Sequence, residues 1–399
     1  MTSRSVARRR PRLGSLSTVL ASASLCALAA CSAGGSGAGN SNSTQNTGGT
    51  GSPANGGSGT VASGGMTQSS AGATATGGTG NGGGAGAAQG TSGSTGSAGA
   101  GGASSLMLTM TGGKYQFAFG STYIEIDPAY GARVTALRVG GATGMDLIAS
   151  SAVTGDPDNW GSTFWPSPQS SWVYPPTSTT SIANINSQPY TAVADASSVT
   201  FTSATSVGAP MISVVKKFSS DLTKEAVVID YTMQNETANP VTVAPWEITR
   251  VASGGITFYA PGSGSPMPGN FPLPPASTIT TAAGAVWYQN DPTDAHDYKL
   301  FADGSGWIAH AAGNLLLVKS FPDVPAGMAA TGEAEIEVYS AKTDKYNEVE
   351  QQGAVQTLTA KGTTGDSLHW TVRWFARSMA TPAAVGSADL VTYVQNLIK

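Results

Sequence analysis

From Leu106 onward, apolar residues tend to recur at every second position in short runs, and turn residues separate the runs at close spacing. That period belongs to β-strands with two distinct faces. In residues 333–339 (EAEIEVY), Glu333, Glu335 and Glu337 share one face, while Ala334, Ile336 and Val338 share the other. Strands are predicted at 114–119, 122–126, 133–139, 198–202, 211–218, 225–234, 241–250, 255–259, 285–289, 306–310, 315–320, 333–339, 346–351 and 367–376. So many strands without helices between them predict an all-β fold, a large antiparallel sandwich. The exception is one short C-terminal helix over 389–399, with Ser387 as N-cap and Leu390, Val391, Val394, Leu397 and Ile398 on one side. It is expected to dock on a sheet edge.

The preceding quarter of the chain obeys different rules. Residues 32–104 are almost wholly Gly, Ser, Thr, Ala, Asn and Gln, with no apolar periodicity to offset the entropy of ordering them. They read as a tether with a reach on the order of 50 Å. Residues 1–31 read as an export signal: Arg4, Arg8, Arg9, Arg10 and Arg12 form a basic start, and an apolar run too short to span a bilayer follows. The run closes on LAAC (residues 28–31), which resembles the bacterial lipoprotein lipobox, and that resemblance implies cleavage before Cys31 and its acylation. The expected organisation is therefore a signal at 1–31, a linker at 32–104 and one folded domain at 105–399, lipid-anchored at the bacterial cell envelope outside the cytoplasm. Cys26 would be removed with the signal, so no intramolecular disulfide is expected. The formal net charge of −4 argues against a nucleic-acid partner, and a monomer is expected.

Residues 160–176 (WGSTFWPSPQSSWVYPP) crowd Trp160, Trp165 and Trp172 with Phe164 and Tyr174 among four prolines, which predicts an ordered loop rather than a helix or central strand. Aromatic faces beside hydrogen-bonding groups such as Gln169 suit the apolar face and hydroxyls of a sugar. The same rings could equally plug one end of the β-core.

The order of several segments carries a family resemblance. Residues 123–137 (YIEIDPAYGARVTAL) resemble the opening of aldose 1-epimerase, or galactose mutarotase-like, domains. Residues 160–176, 245–250 (PWEITR), 347–353 (NEVEQQG) and 370–374 (WTVRW) are similar to a bacterial branch of that superfamily. The resemblance spans most of residues 114–377 and implies a β-supersandwich. In the epimerases, a Glu takes the proton of the anomeric hydroxyl while a His protonates the ring oxygen. The resemblance places that Glu at Glu350, with Glu348 on the same strand face. The two histidines of the family have no counterpart in the early aromatic segment or in residues 241–250. His310 stands in for the acid only if the fold brings it to the pocket.

Trp246, Glu247 and Arg250 supply an aromatic ring and a polar pair on one strand, where the alternative is a structural ion pair. Asp291, Asp294, His296 and Asp297 form an acid-rich loop that suits either local turns or calcium; no metal or cofactor is assigned. The candidate site is thus Glu350, Glu348 and His310 for catalysis, with Trp160, Trp165, Gln169, Trp172, Trp246, Glu247 and Arg250 for binding a carbohydrate. The expected function is carbohydrate binding in an aromatic cleft without standard epimerase catalysis. The alternatives are an active aldose 1-epimerase-like isomerase with Glu350 as base and a rearranged acid, and a purely structural envelope lipoprotein.

Overall fold

The computed structural model describes residues 106–152, 158–176, 180–343 and 345–399. The expected signal, lipobox Cys31 and tether lie outside the described residues. Among the described residues the chain is nearly all β, in two antiparallel sheets of twelve and ten strands.

The larger sheet runs in the order Met107–Thr111, Lys114–Phe119, Thr122–Asp127, Arg133–Val139, Ser162–Ser167, Val241–Val251, Asn347–Gln352, Ile336–Ser340, Tyr298–Ala302 and Met267–Pro268. Two short strands, Met145–Asp146 and Gln356–Leu358, pair onto Arg133–Val139 and Val241–Val251. The smaller sheet runs Ile279–Ala282, Ala285–Gln289, Ile256–Tyr259, Trp307–Ala312, Leu315–Ser320, Ser367–Ser378, Ala226–Asn235, Ile212–Asp221, Ser198–Thr202 and Thr191–Ala194. The two sheets bury their facing sides against each other, as where Phe164 stacks on Tyr231 with ring centroids 4.3 Å apart. Burying side chains of this size stabilises by about 1.5–3 kcal/mol each.

Alternation in the sequence places most strands correctly, but two expectations need correction. Residues 162–167 are not loop: Ser162–Ser167 is an inner strand of the larger sheet. The prolines are tolerated because Pro166 lies opposite Pro245, so two missing donors fall at one rung. On its other side this strand meets Arg133–Val139 only at Ser162 and Val134, leaving little ladder for a proline to break. The C-terminal helix, Ala388–Ile398, is capped by Ser387, whose Oγ accepts from the Leu390 N–H at 3.2 Å. It does not sit on an edge. Leu390, Val391 and Val394 pack with Phe258, Trp287, Leu316, Val318 and Phe375, in a second core on the outer side of the smaller sheet. An amphipathic helix buries more apolar surface against a face than against an edge.

Candidate functional site

Four neighbouring strands of the larger sheet set the geometry. Trp246 lies opposite Trp165 on one side and Gln352 on the other, and Arg250 lies opposite Glu348. Glu350 lies opposite Glu337, and Glu348 opposite Tyr339. Cross-strand partners share a face, so Trp165, Trp246, Arg250, Glu348, Glu350, Gln352, Glu337 and Tyr339 all stand on the side turned away from the smaller sheet. Glycine is required at two points here. A Cβ on Gly353 would lie 2.6 Å from Pro245 Cγ, and one on Gly131 would lie 2.0 Å from the Asn186 carbonyl oxygen.

Lys299 is the hub of the cluster. Its Nζ reaches Glu337 Oε2 at 2.8 Å and donates to Glu350 at 2.9 and 3.1 Å. Trp246 Nε1 donates to the same Glu350 carboxylate at 2.8 Å. Arg250 donates from Nε to Glu348 Oε1 at 2.8 Å, from Nη1 to Thr163 at 2.6 Å and from Nη2 to Asn159 at 3.0 Å. Asn159 in turn donates to the Tyr174 hydroxyl at 3.0 Å. Gln169 donates its backbone N–H to Glu333 at 2.7 Å, and the charges of Glu333 and Glu337 bear on each other. The aromatic segment therefore lies over the carboxylate strands and is tied to them at both Gln169 and Tyr174.

Burial dominates the electrostatics. Glu350 and Glu337 have 0% exposure, and Glu348 has 9%. Burial pushes the Glu348 carboxyl up to about 7; Glu350 adds to this, while Arg250 and Lys299 oppose it. Burial also raises Glu337 well above the usual range, with the charges of Glu350 and Glu333 in the same direction and Lys299 against. Glu333 is raised by burial. Burial works against the charge of Lys299, but Glu337, Glu350 and Glu348 outweigh it and hold its pKa above the ordinary value.

At the rim stand half-buried Tyr174, Phe271, Tyr339 and Glu333. The Phe271 and Tyr339 rings lie 5.3 Å apart. Tyr339 donates to Asp297 at 2.9 Å.

Of the residues singled out from sequence, Glu348, Glu350, Trp165, Trp246, Arg250 and Gln169 converge here, with Trp172 packed edge-on against Trp165 at 5.4 Å. Three others lie elsewhere. Trp160 stacks on Tyr130 beneath the Arg133 guanidinium, which is 4.7 Å from its ring. Glu247, one residue from Trp246, points to the opposite side and pairs with Lys319 at 3.0 Å. His310 is on the smaller sheet, where its Nδ1 meets Thr257 Oγ1 at 2.9 Å. It is not brought to the carboxylates, and burial lowers its pKa to about 4. Neither Glu348 nor Glu350 is a solvated strand carboxylate, and Glu247 and Arg250 are not each other's partners. In the acid-rich loop, Asp291 accepts from Thr293 and Asp294 from His296, both local turns. Among the described residues no group of three or more His, Cys, Asp or Glu side chains is placed to hold a metal ion.

Sequence reasoning missed Lys299, Glu333, Glu337, Tyr339 and Gln352 as members of the cluster. Lys299 carried a usable signal, since a lysine inside the run YKLFA (residues 298–302) has to find a partner when the strand is buried. Glu333 and Glu337 were visible as one face of a strand, without any sign that the face was buried.

No family model and no curated protein sequence matches the chain. Solved structures similar to it include a galactose mutarotase-like protein from Lactobacillus casei, 11% identical, with a TM-score of 0.46 and covering 68% of this chain and 100% of that one. A galactose mutarotase related enzyme from Lactobacillus acidophilus is 10% identical, with a TM-score of 0.46 over 68% of this chain and 100% of its own. A galactose mutarotase-like protein from Clostridium acetobutylicum is 12% identical, with a TM-score of 0.40 over 69% and 99%.

Proposed function

We propose that this protein is an exported lipoprotein, anchored through Cys31, whose galactose mutarotase-like domain binds carbohydrate on the outward face of the larger sheet without epimerase catalysis. The observation that carries the reading is the convergence of Trp165, Trp172 and Trp246 with Glu348, Glu350 and Gln352 on one face. Indole rings beside hydrogen-bonding oxygens match the two kinds of surface a sugar presents. Perturbed carboxyls gathered in one place mark a functional-site candidate.

Anomer interconversion needs a base and an acid free to move protons. Glu350 is fully buried, and its carboxylate already accepts from Trp246 and Lys299. The three histidines are His310 on the smaller sheet, His369 hydrogen-bonded to Thr232 on that same sheet, and His296 beside Asp294 in a loop. None joins the carboxylates. One observation favours the enzymatic alternative: Glu348, with a pKa of about 7, stands two residues from Glu350 and would be the rearranged acid.

The test is a glycan array probed with the full chain, followed by polarimetry of anomer interconversion on every hit. Binding without acceleration is expected. Acceleration abolished by Glu350→Gln would establish the isomerase instead, and the absence of both would leave only the structural reading.

A further inference from the structure

The outward face has an unbalanced set of charges and donors. Four carboxyl groups, Glu333, Glu337, Glu348 and Glu350, share it with two cations, Lys299 and Arg250. Arg133, the next cation along the sheet, directs its Nη1 to the carbonyls of Asp158 and Trp160 rather than to these carboxyls. At the rim a further carboxylate, Asp297, accepts from Tyr339 and faces Lys342 at 3.4 Å.

The donors are committed while acceptors remain. Lys299 directs its ammonium at Glu337 and Glu350, and Arg250 directs its fork at Glu348, Thr163 and Asn159. Gln352 is fully buried, and its Nε2 donates to Glu337 Oε1 at 2.7 Å. Its Oε1 has no donor among the described residues. A buried acceptor without a donor is costly and calls for a partner. It sits beside a group of like charges whose mutual repulsion is relieved only by protons or by another cation.

We propose that the sugar bound on this face carries a free, protonated amine. The inference rests on the carbohydrate reading above and specifies its ligand. An ammonium brings three donors and one positive charge, which are what the cluster lacks. A hydroxyl supplies one donor and no charge, an N-acetyl group removes the charge, and a uronic acid adds to the excess. Phe271 and Tyr339, half-buried rings 5.3 Å apart, stand beside Asp297 at the edge of the cluster, and aromatic rings and carboxylates both attract a cation.

Isothermal titration of the full chain with four tetrasaccharides tests this: β-1,4-linked glucosamine with free amines, its N-acetylated counterpart, cellotetraose and a galacturonic acid tetramer. The free-amine probe should bind about tenfold or more tightly than the N-acetylated one, the scale of one charge-assisted contact. Galacturonate should be the weakest. Glu348→Gln should remove most of the preference, and Glu333→Gln, at a half-buried position, serves if the first variant does not fold. Equal or tighter binding of the neutral or N-acetylated probes overturns the amine assignment and leaves the carbohydrate reading standing. An amine preference unchanged in both variants would trace to the acidic surface and also overturn it. Binding of none of the four defeats the carbohydrate reading and the amine assignment together.

Discussion

The two faces of the strand Val241–Val251 hold two buried charge clusters that differ in charge balance. Toward the smaller sheet, Glu247 meets Lys319 at 3.0 Å and also accepts from Tyr231 at 2.6 Å, from Trp374 at 2.9 Å and from Gln351. Lys319 completes its own set with Thr249 at 2.8 Å and the Val349 carbonyl at 2.9 Å. One negative group is matched by one positive group, and both are saturated. On the outward face, Arg250 and Lys299 confront four carboxyls; each cluster also keeps one glutamine oxygen without a donor among the described residues, that of Gln351 on the inner side and that of Gln352 on the outer. Saturation is what a charge pair needs to hold two sheets together. An unbalanced cluster on the same strand has no such structural economy, and its deficit describes the ligand that would complete it.

The comparison breaks most sharply at Lys319. Lys319→Met strands Glu247 as an uncompensated buried charge and is expected to cost about 3–5 kcal/mol in urea unfolding. Adding Glu247→Gln should recover much of that loss. If Lys319→Met alone is neutral, the inter-sheet pair is not a structural link.

A smaller effect should appear in the pH dependence of stability. The Glu348 carboxyl has a folded pKa of about 7 against an ordinary 4.5, so between those values the native state holds more protons than the unfolded one. Its contribution is therefore fully present below about pH 4.5 and is lost as pH rises through 7. The difference in unfolding free energy, wild type minus Glu348→Gln, should fall across that window and level off above it. His310 acts in the opposite sense: its pKa is lowered from 6.5 to about 4, so its contribution is present above 6.5 and lost as pH falls through 4. A flat wild-type minus Glu348→Gln difference would show that Glu348 is already ionised at pH 5.

The smallest change is expected from Glu333→Gln. An amide can accept from the Gln169 N–H through its oxygen as the carboxyl does, while removing one negative charge from beside Glu337 and Glu350. Stability at pH 8 should stay within about 1 kcal/mol of wild type or rise, since one hydrogen bond replaces another. A loss well beyond that would mean the outward cluster is as saturated as the inner one, removing the contrast on which the ligand assignment stands.

The sequence by itself determined the β character of the domain, most strand positions and the Ser387-capped helix. These are local properties: a two-residue period, turn residues between runs and one side-chain oxygen at a helix start. It also drew attention to Trp165 through the crowding of rings and prolines, to Trp246 and Arg250 as a ring and a charge on one strand, and to Glu350 through resemblance, with Glu348 on the same strand face. Only the tertiary structure decided which neighbours part company. Trp246 and Glu247 are adjacent in the chain and alternate across a strand buried on both sides, so alternation separates them without saying which faces the other sheet. The partners that fix their roles, Lys299 for Glu350 and Lys319 for Glu247, lie 51 residues away or more. The helix followed the same logic: its apolar stripe was legible, but the face it covers was not. A charge cluster is completed by whatever distant strands bring to it, and no local pattern records that arrival.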